Sequence, residues 1–524
     1  MREFCAILGT LAFLSFGIPI QVFAQDVTLT SRDGSISVSG IFLGFDGDFY
    51  RVATDFGPLT IDGSGVLCEG PGCPDLNSFY PIVRFSGDGA VSASLMPALV
   101  SAFAARYGYN TEVTVGEYSY SVLLTDAAQG QPAAQFDLAQ TSSEEGFADL
   151  LTENTDIVVS LREATAQEKK LARSEGIGDL SDAVRARVLG LDAIVPTVSL
   201  SNPLTTISLT DLEKLLSGKV KNWKEIGGQD APVSLLLDDE ILSEGSPLRA
   251  LLPSIKPDVT TNQSLVLRSS QDAVDALERH PYGIAFGRLS TVGRAKVMGL
   301  TGACGFYTDV NSADVKTEDY PLTQPMFLYT PARRLPKIAR DFLDYVLSPS
   351  AQIVVARSPF VDQAIEELSF RDHGQRFANA IRNSGTEISL DDLKSLIETL
   401  HGAHRLSLGF RFEGGTAKLD AQSRSNVQLL VRLIEAGVYD RKDMIFAGFS
   451  DGQGAALANK ALSVKRAQAV RASIIAALQN GEEGNLNMTV QGFGEAMPLA
   501  CDDVAWGREL NRRVEIWVRD KTYK

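Results

Sequence analysis

The chain has 524 residues, of which 44% are hydrophobic and 22% charged, the make-up of a globular protein with room for three or four domains. Its formal net charge of -16 argues against nucleic acid as a partner, because phosphate backbones reward clustered Lys and Arg. No basic run occurs along it.

The first residues predict export. Arg2 precedes an almost uninterrupted apolar run from Cys5 to Val22, and Val22-Phe23-Ala24 places small residues at cleavage positions. Residues 1–24 therefore read as a signal peptide cut after Ala24, with a retained membrane anchor as the alternative. Cys5 lies before the apolar core and is no lipoprotein acylation site. Residues 25–75 alternate polar and apolar positions between Gly and Asp turns, as in Val27-Thr28-Leu29-Thr30 and Phe49-Tyr50-Arg51-Val52. They predict a small β module of hairpins, too short to bury a large core. Cys68 and Cys73 flank the turn-prone Glu69-Gly70-Pro71-Gly72, and export favours a disulfide between them. Cys304 and Cys501 can pair across domains or remain free. No cysteine or histidine spacing fits a metal site, and no cofactor is expected.

Residues 76–360 alternate strands and helices. Val83-Arg84-Phe85 runs into Ser86-Gly87-Asp88-Gly89, followed by a helix from about Ser92 to Tyr107. Asp156 to Ser160 and Leu189 to Pro196 read as buried strands of an open α/β sheet. A Gly-rich turn where a strand meets a helix can cradle an anion on backbone N–H groups. It can equally be a tight turn that needs Gly. Several further segments carry a family resemblance: Asp192-Ala193-Ile194-Val195, Ser201-Asn202-Pro203-Leu204, Leu215 to Gly228, Tyr282 to Phe286, Asp319-Tyr320-Pro321-Leu322 and Phe327-Leu328-Tyr329. Together they resemble the phosphate-binding proteins of ABC transporters. The resemblance implies a two-lobed periplasmic-binding-protein fold that closes on its ligand.

That resemblance maps three anion-contacting loops onto this chain. The first falls on Ser86, Gly87, Gly89 and Ala90, and the second on Ser160 and Arg162. The third falls on Ser243, Gly245 and Ser246, where the family's Arg is absent and Asp238, Asp239, Glu240 and Glu244 crowd the loop. Asp88 either repels an anion or accepts the proton of a hydrogen phosphate, which would discriminate against sulfate. Arg162 in a surface or interdomain salt bridge, and Ser243 to Ser246 as an ordinary helix start, are the competing readings. Asn222-Trp223 reads as packing.

Residues 361–403 are charged and helical in character, with breaks at Gly374 and Gly385, and read as a helical connector. Residues 404–524 carry the strongest motif. Met444-Ile445-Phe446-Ala447 predicts a buried strand entering Gly448-Phe449-Ser450-Asp451-Gly452-Gln453-Gly454, and Ala456 to Leu478 a helix. Asn459, Ser463 and Arg466 share one face of that helix. A carboxylate at the strand end then faces a guanidinium, a pair that can grip an ammonium and a carboxylate. With Gly507-Arg508 and Asn511-Arg512-Arg513, these residues resemble the OmpA-like peptidoglycan-binding domain.

That family holds diaminopimelate with an Asp and an Arg, here Asp451 and Arg466, and the site extends to Asn459 and Arg508. The family's Gly-His-Thr-Asp stands here as Gly448-Phe449-Ser450-Asp451, so its His is lost. The bland reading has Asp451 capping the helix and Arg466 paired with a nearby carboxylate.

The expected fold class is α/β multidomain: a small N-terminal β module, a two-lobed periplasmic-binding-protein fold and a C-terminal OmpA-like βα domain. The expected function is an exported, wall-tethered solute-binding protein in the periplasm of a Gram-negative bacterium, associated with cell wall and outer membrane. Its partners would be peptidoglycan diaminopimelate, phosphate or a similar oxyanion, and an ABC permease as a further candidate. The alternative is a structural or signalling envelope scaffold whose binding-protein domain holds no ligand. An enzyme is disfavoured: neither a partnered Gly-x-Ser-x-Gly nor His-Glu-x-x-His occurs.

Overall fold

The computed structural model describes residues 26–76, 79–238, 241, 246–252, 264–383, 387–413, 416–479 and 486–521. The expected signal peptide, and Ser243 and Gly245 of the third anion loop, lie outside these residues. The chain divides into two units, 1–81 and 82–524.

The first unit is a five-stranded sheet of β1 (Val27–Ser31), β2 (Ser37–Phe45), β3 (Phe49–Thr54), β4 (Gly57–Asp62) and β5 (Val66–Glu69), in the order β4-β3-β2-β1-β5. Alternation puts Val27, Leu29, Tyr50 and Val52 into one small core. Cys68 and Cys73 are bonded, with Cα atoms 5.8 Å apart. The bridge closes the end of β5 against the Gly-Pro-Gly turn beside this core.

The second unit opens on β6 (Ile82–Asp88) and α1 (Gly89–Tyr107). The strand runs through Ser86, Gly87 and Asp88, where the sequence suggested a turn. Ser86, Gly87 and Asp88 pair in parallel with Ala139, Gln140 and Thr141, and Ser86 and Gly87 also with Val158 and Val159. Two flanking ladders keep them extended. A Cβ on Gly87, at φ +143°, would lie 1.9 Å from the Val159 carbonyl oxygen, so close strand packing requires this glycine. Asp88 caps α1 by accepting the Val91 N–H at 3.0 Å.

The first lobe continues with β7 (Tyr109–Val115), β8 (Ser119–Asp126), β9 (Pro132–Thr141), α2 (Ser143–Leu151), β10 (Ile157–Ser160) and α3 (Ala166–Ser174). Capping boxes start α2, with Ser142 and Glu145, and α3, with Thr165 and Glu168. The long strand β11 (Ala186–Val198) then crosses to the second lobe. That lobe holds β12 (Thr206–Ser208), α4 (Leu209–Leu216), β13 (Ser234–Asp238), α5 (Pro247–Leu251), β14 (Ser264–Leu267), α6 (Ser270–Asp275) and β15 (Gly283–Arg288). It ends with β16 (Lys296–Val297), β17 (Gly299–Thr301), β18 (Tyr307–Thr308) and α7 (Ser312–Lys316). The return strand β19 (Thr323–Tyr329) leads to α8 (Lys337–Tyr345) and α9 (Pro349–Arg357), which pack back on the first lobe.

The sheet order β14-β13-β15-β11-β19-β10-β6-β9-β8-β7 puts the two crossing strands at its centre. They pair antiparallel with an irregularity between Val188 and Gly190. The first-lobe core stacks Leu95, Leu99 and Phe103 of α1 against Phe85, Phe136 and Phe342. The second centres on Trp223, Leu212, Leu215 and Phe286. Trp223 is 1% exposed and donates its indole N–H to the Tyr282 carbonyl at 2.8 Å, a packing role.

The remainder comprises β20 (Glu367–Ser369), α10 (Gly374–Asn383), α11 (Leu390–Leu400), β21 (His404–Phe410), α12 (Ala421–Glu435), β22 (Lys442–Gly448), α13 (Ala456–Ala477), β23 (Asn487–Gly492), α14 (Ala505–Asn511) and β24 (Val514–Asp520). They build a sheet in the order β20-β21-β24-β22-β23. The reading of 361–403 as a helical connector is corrected here. Its β20 pairs antiparallel with β21, and α10 and α11 cover one face of the sheet. Met444 and Phe446 point into the core beneath α12 and α13. Ile445 and Ala447 meet Phe377, Leu396 and Leu400 on the opposite face. A strand buried on both faces reads as a continuous apolar run, which is why Met444 to Ala447 shows no alternation.

Candidate functional site

The sequence points to two sites, and the structure builds them differently. In the C-terminal sheet, β22 delivers the chain to the loop before α13. A Cβ on Gly448 would meet the Ser463 carbonyl oxygen at 2.1 Å, so this glycine lets the helix approach the strand. The contact brings Arg466 beside the loop that carries Asp451. The Asp451 carboxylate accepts from Arg512 Nη1 at 2.7 Å and from the Gln453 N–H at 3.2 Å. It does not cap α13, whose cap residue is Ala455.

Arg466 is 2% exposed. Its guanidinium lies over the Phe412 ring, 5.4 Å from the centroid, and neither Nε nor Nη1 has a hydrogen-bond partner. Burial lowers its pKa, Arg512 lowers it further, and Asp451 partly offsets both. No ion pair to Arg466 occurs among the described residues. Asn459 is 4% exposed and donates to Glu495 Oε2 at 3.3 Å. Burial, together with Glu387, Asp502 and Asp451, raises the Glu495 carboxyl, so acidic groups ring the loop.

Arg508 donates to the Asp502 carbonyl at 2.7 Å. Asn511, missed as a site residue, fixes the facing loop: its Oδ1 takes the Leu499 and Ala500 N–H groups and its Nδ2 reaches the Ala500 carbonyl. The Asp502 carboxylate in turn takes the Gly452 N–H at 2.8 Å. Arg512 was legible only as a strand-end basic residue; its contact with Asp451 depends on the turn after α14.

In the central domain a cavity of about 370 Å³ lies between the lobes, with Glu144, Arg162, Ser246, Arg288 and Gln324 on its wall. The anion residues expected there are mostly engaged. Ser86 donates to Asp149 Oδ2 at 2.6 Å and lies 3.0 Å from the Thr141 hydroxyl. Gly89 and Ala90 form the first turn of α1. Ser160 donates to the Arg162 carbonyl at 2.8 Å. The Arg162 guanidinium makes a bidentate pair with Glu168, both bonds 2.8 Å. Glu168 is the same residue that closes the capping box of α3, so the expected anion ligand sits in a local salt bridge. The Ser246 hydroxyl donates to the Ile241 carbonyl, and it gives α5 no side-chain cap bond.

Arg288, at the end of β15, was missed. It is 6% exposed and Nη1 donates to Asp88 Oδ2 at 2.9 Å. A second-lobe guanidinium therefore reaches a first-lobe carboxylate that also caps α1. Nothing around Tyr282 to Phe286 signals this, because the two residues stand 200 positions apart. Among the described residues no group of three or more His, Cys, Asp or Glu side chains could hold a metal.

The fold is thus a two-lobed binding-protein domain joined to a sheet-and-helix domain with a buried, unpaired arginine. Comparison with known proteins agrees. A family model for a PBP superfamily domain matches residues 110–350, and one for the OmpA family matches residues 411–512. The chain carries both domains. Over 221 residues it is 20% identical to the phosphate-binding protein PstS of Borreliella burgdorferi, covering 41% of this chain and 75% of that protein. Over 111 residues it is 31% identical to outer membrane porin F of Pseudomonas aeruginosa, covering 21% of this chain and 30% of the porin. An ABC-type phosphate transport receptor from Vibrio cholerae aligns at 15% identity and a TM-score of 0.40, over 53% of this chain and 99% of the receptor.

Proposed function

We propose that this protein is an exported binding protein that holds peptidoglycan with its C-terminal domain and a small oxyanion with its central domain. The observation that carries the reading is Arg466. A guanidinium 2% exposed, with Nε and Nη1 unpartnered, is costly unless an anion completes it. The diaminopimelate carboxylate would take Arg466, and its ammonium Asp451 within the acidic rim of Glu495 and Asp502. Asn459 and Arg508 shape the walls, and Arg512 holds Asp451 in place. The match to a porin named for the outer membrane supports an envelope location, here the periplasm of a Gram-negative cell. Residues 1–24 would direct export. The reading is of a binding protein and not an enzyme.

Co-sedimentation with peptidoglycan sacculi tests it. Asp451→Ala and Arg466→Ala should each weaken binding at least about tenfold, since removing one buried charged partner typically costs about 2–5 kcal/mol. Full retention in both folded variants would overturn the assignment.

For the central domain, the relatives named for phosphate support phosphate or a similar oxyanion as ligand; an ABC permease is the partner that the family resemblance implies. The anion would enter at the N-terminus of α1, near Ser86, Gly87, Gly89 and Ala90, with Ser160, Arg162, Ser246 and Arg288 around it. Ser243 and Gly245 complete the proposed third loop.

A second reading, a scaffold whose cleft holds no ligand, is favoured by one observation. The Asp88 carboxylate already lies on the α1 N-terminus and on Arg288, where an anion would sit. Calorimetry with phosphate on the full chain separates the two. Under the binding reading, Asp88→Asn frees Arg288 and should strengthen phosphate binding about tenfold, while Arg288→Ala should abolish it. No heat at millimolar phosphate from either the wild type or Asp88→Asn establishes the scaffold.

A further inference from the structure

A second cavity of about 370 Å³ lies where the central domain meets the C-terminal one. Tyr320 and Phe327 from the hinge, and Trp506 and Leu510 from α14, form apolar parts of its wall. Its polar wall is lopsided. The Arg411 donors are engaged: Arg411 gives Nε to Glu318 Oε2, Nη1 to the Glu509 and Leu510 carbonyls, and Nη2 to the Glu318 carbonyl. Both terminal nitrogens of Arg162 are taken by Glu168. The Tyr320 hydroxyl donates to the Ile194 carbonyl.

Acceptors are left over. Gln422 is 4% exposed, its Nε2 donates to Asn426, and its Oε1 has no partner. Glu318 Oε1 has none either. Asp420, also on this wall, is close enough to disfavour ionisation of Glu318 after burial itself, and the Glu318 carboxyl is pushed up to about 8. A carboxyl pair and an unmet amide oxygen call for hydrogen-bond donors carrying positive charge. A metal ion is a poor fit, since no cluster of three ligating side chains is present among the described residues.

We propose that this junction cavity binds a small organic ammonium, its N–H groups on Gln422 Oε1 and Glu318 with the Asp420 charge beside them, and its apolar chain against Tyr320, Phe327 and Trp506. The site shares Leu161 and Arg162 with the wall of the interlobe cavity, but the acceptors it offers are its own, and it does not rest on either function proposed above. Because its walls come from both domains, occupancy would also tighten their junction.

Calorimetry of the full chain with n-butylammonium chloride tests this, against n-butanol as the uncharged isostere. Saturable binding is expected, with n-butanol at least about tenfold weaker. Gln422→Met removes an acceptor at similar volume. Asp420→Asn keeps the helix cap but removes the charge. Each should weaken n-butylammonium at least about fivefold. Diaminopimelate at saturation should not displace it.

Absence of saturable heat from the wild type would overturn the proposal, leaving a hydrated void. Equal binding of n-butanol would remove the charge argument and overturn it too. Displacement by diaminopimelate would move the ammonium to the wall-binding loop. Should Gln422→Met not fold, the alcohol comparison and Asp420→Asn decide.

Discussion

Asp192 shows how one residue carries a pH dependence. It is fully buried on β11, where its carboxylate takes the Ala193 N–H at 2.8 Å, the Ser290 N–H at 3.1 Å and the Ser290 hydroxyl at 2.5 Å. Burial outweighs these bonds and the nearby Arg288, and raises its pKa from 3.8 to about 6. A raised acid means that the folded state holds a proton the unfolded chain has already released. Its stabilising contribution is therefore complete below about pH 4 and is lost as pH rises through about 6. The full loss is of the order of 3 kcal/mol. Asp192→Asn should match the wild type near pH 4 and exceed it near pH 7.5, read from urea midpoints. Parallel pH profiles would show that the carboxylate is ionised throughout.

Between residues and domains, the segment 361–403 decides whether the C-terminal sheet is closed. Without it, Ile445, Ala447 and Trp517 lose the cover of Phe377, Leu396 and Leu400. The buried Glu515 carboxylate also takes a donor from this segment. Arg376 Nη2 joins Arg513 Nε, at 2.7 Å, on Glu515 Oε1, and these guanidinium groups hold Glu515 well below the usual carboxylate range against its burial. Removing one partner of such a group typically costs about 3–5 kcal/mol. A fragment of residues 362–524 should therefore unfold cooperatively, and one of 404–524 should melt lower and expose apolar surface to a hydrophobic dye. Equal melting temperatures would mean that the helices are dispensable cover.

Across the whole of residues 82–524, the two domains are tied by a covalent link and by ion pairs, Arg405–Asp319 and Arg411–Glu318 among them. Cys304, in the turn between β17 and β18, is bonded to Cys501, 197 residues away. Cys501 immediately precedes Asp502, the residue holding the Gly452 N–H of the loop that carries Asp451. Nearby, Arg405 of β21 grips Asp319 of the central domain through two bonds of 2.6 and 3.1 Å. Closing so long a loop stabilises by about 5 kcal/mol in the chain-entropy account. Paired Cys304→Ser and Cys501→Ser should lower the melting temperature and separate the transitions of the two domains in calorimetry. It should also weaken sacculus binding, because the Asp502 loop loses its anchor. A single unchanged transition would place all the coupling in Arg405–Asp319 and its surroundings.

The sequence by itself determined the domain classes and picked out Asp451 and Arg466, the pair proposed to hold the wall. Gly448 to Gly454, Asn459 and Arg466 are close in sequence, and helical periodicity alone sets Arg466 on the same face as Asn459. Local rules also revealed the buried run Met444 to Ala447, while the strand-to-helix passage at Ser86 to Gly89 was legible apart from its boundary. What only the tertiary structure decided is which charges meet. Arg512 on Asp451, Arg288 on Asp88, Arg405 on Asp319 and Cys304 on Cys501 join residues between 61 and 200 positions apart. Periodicity does not constrain such pairs, because they depend on how finished sheets and helices pack. The same holds for 361–403, whose charged surface reads as a connector until the sheet it covers is in place. Arg162 illustrates the converse: its position in a family pattern suggested a ligand, but Glu168, six residues on, engages it first.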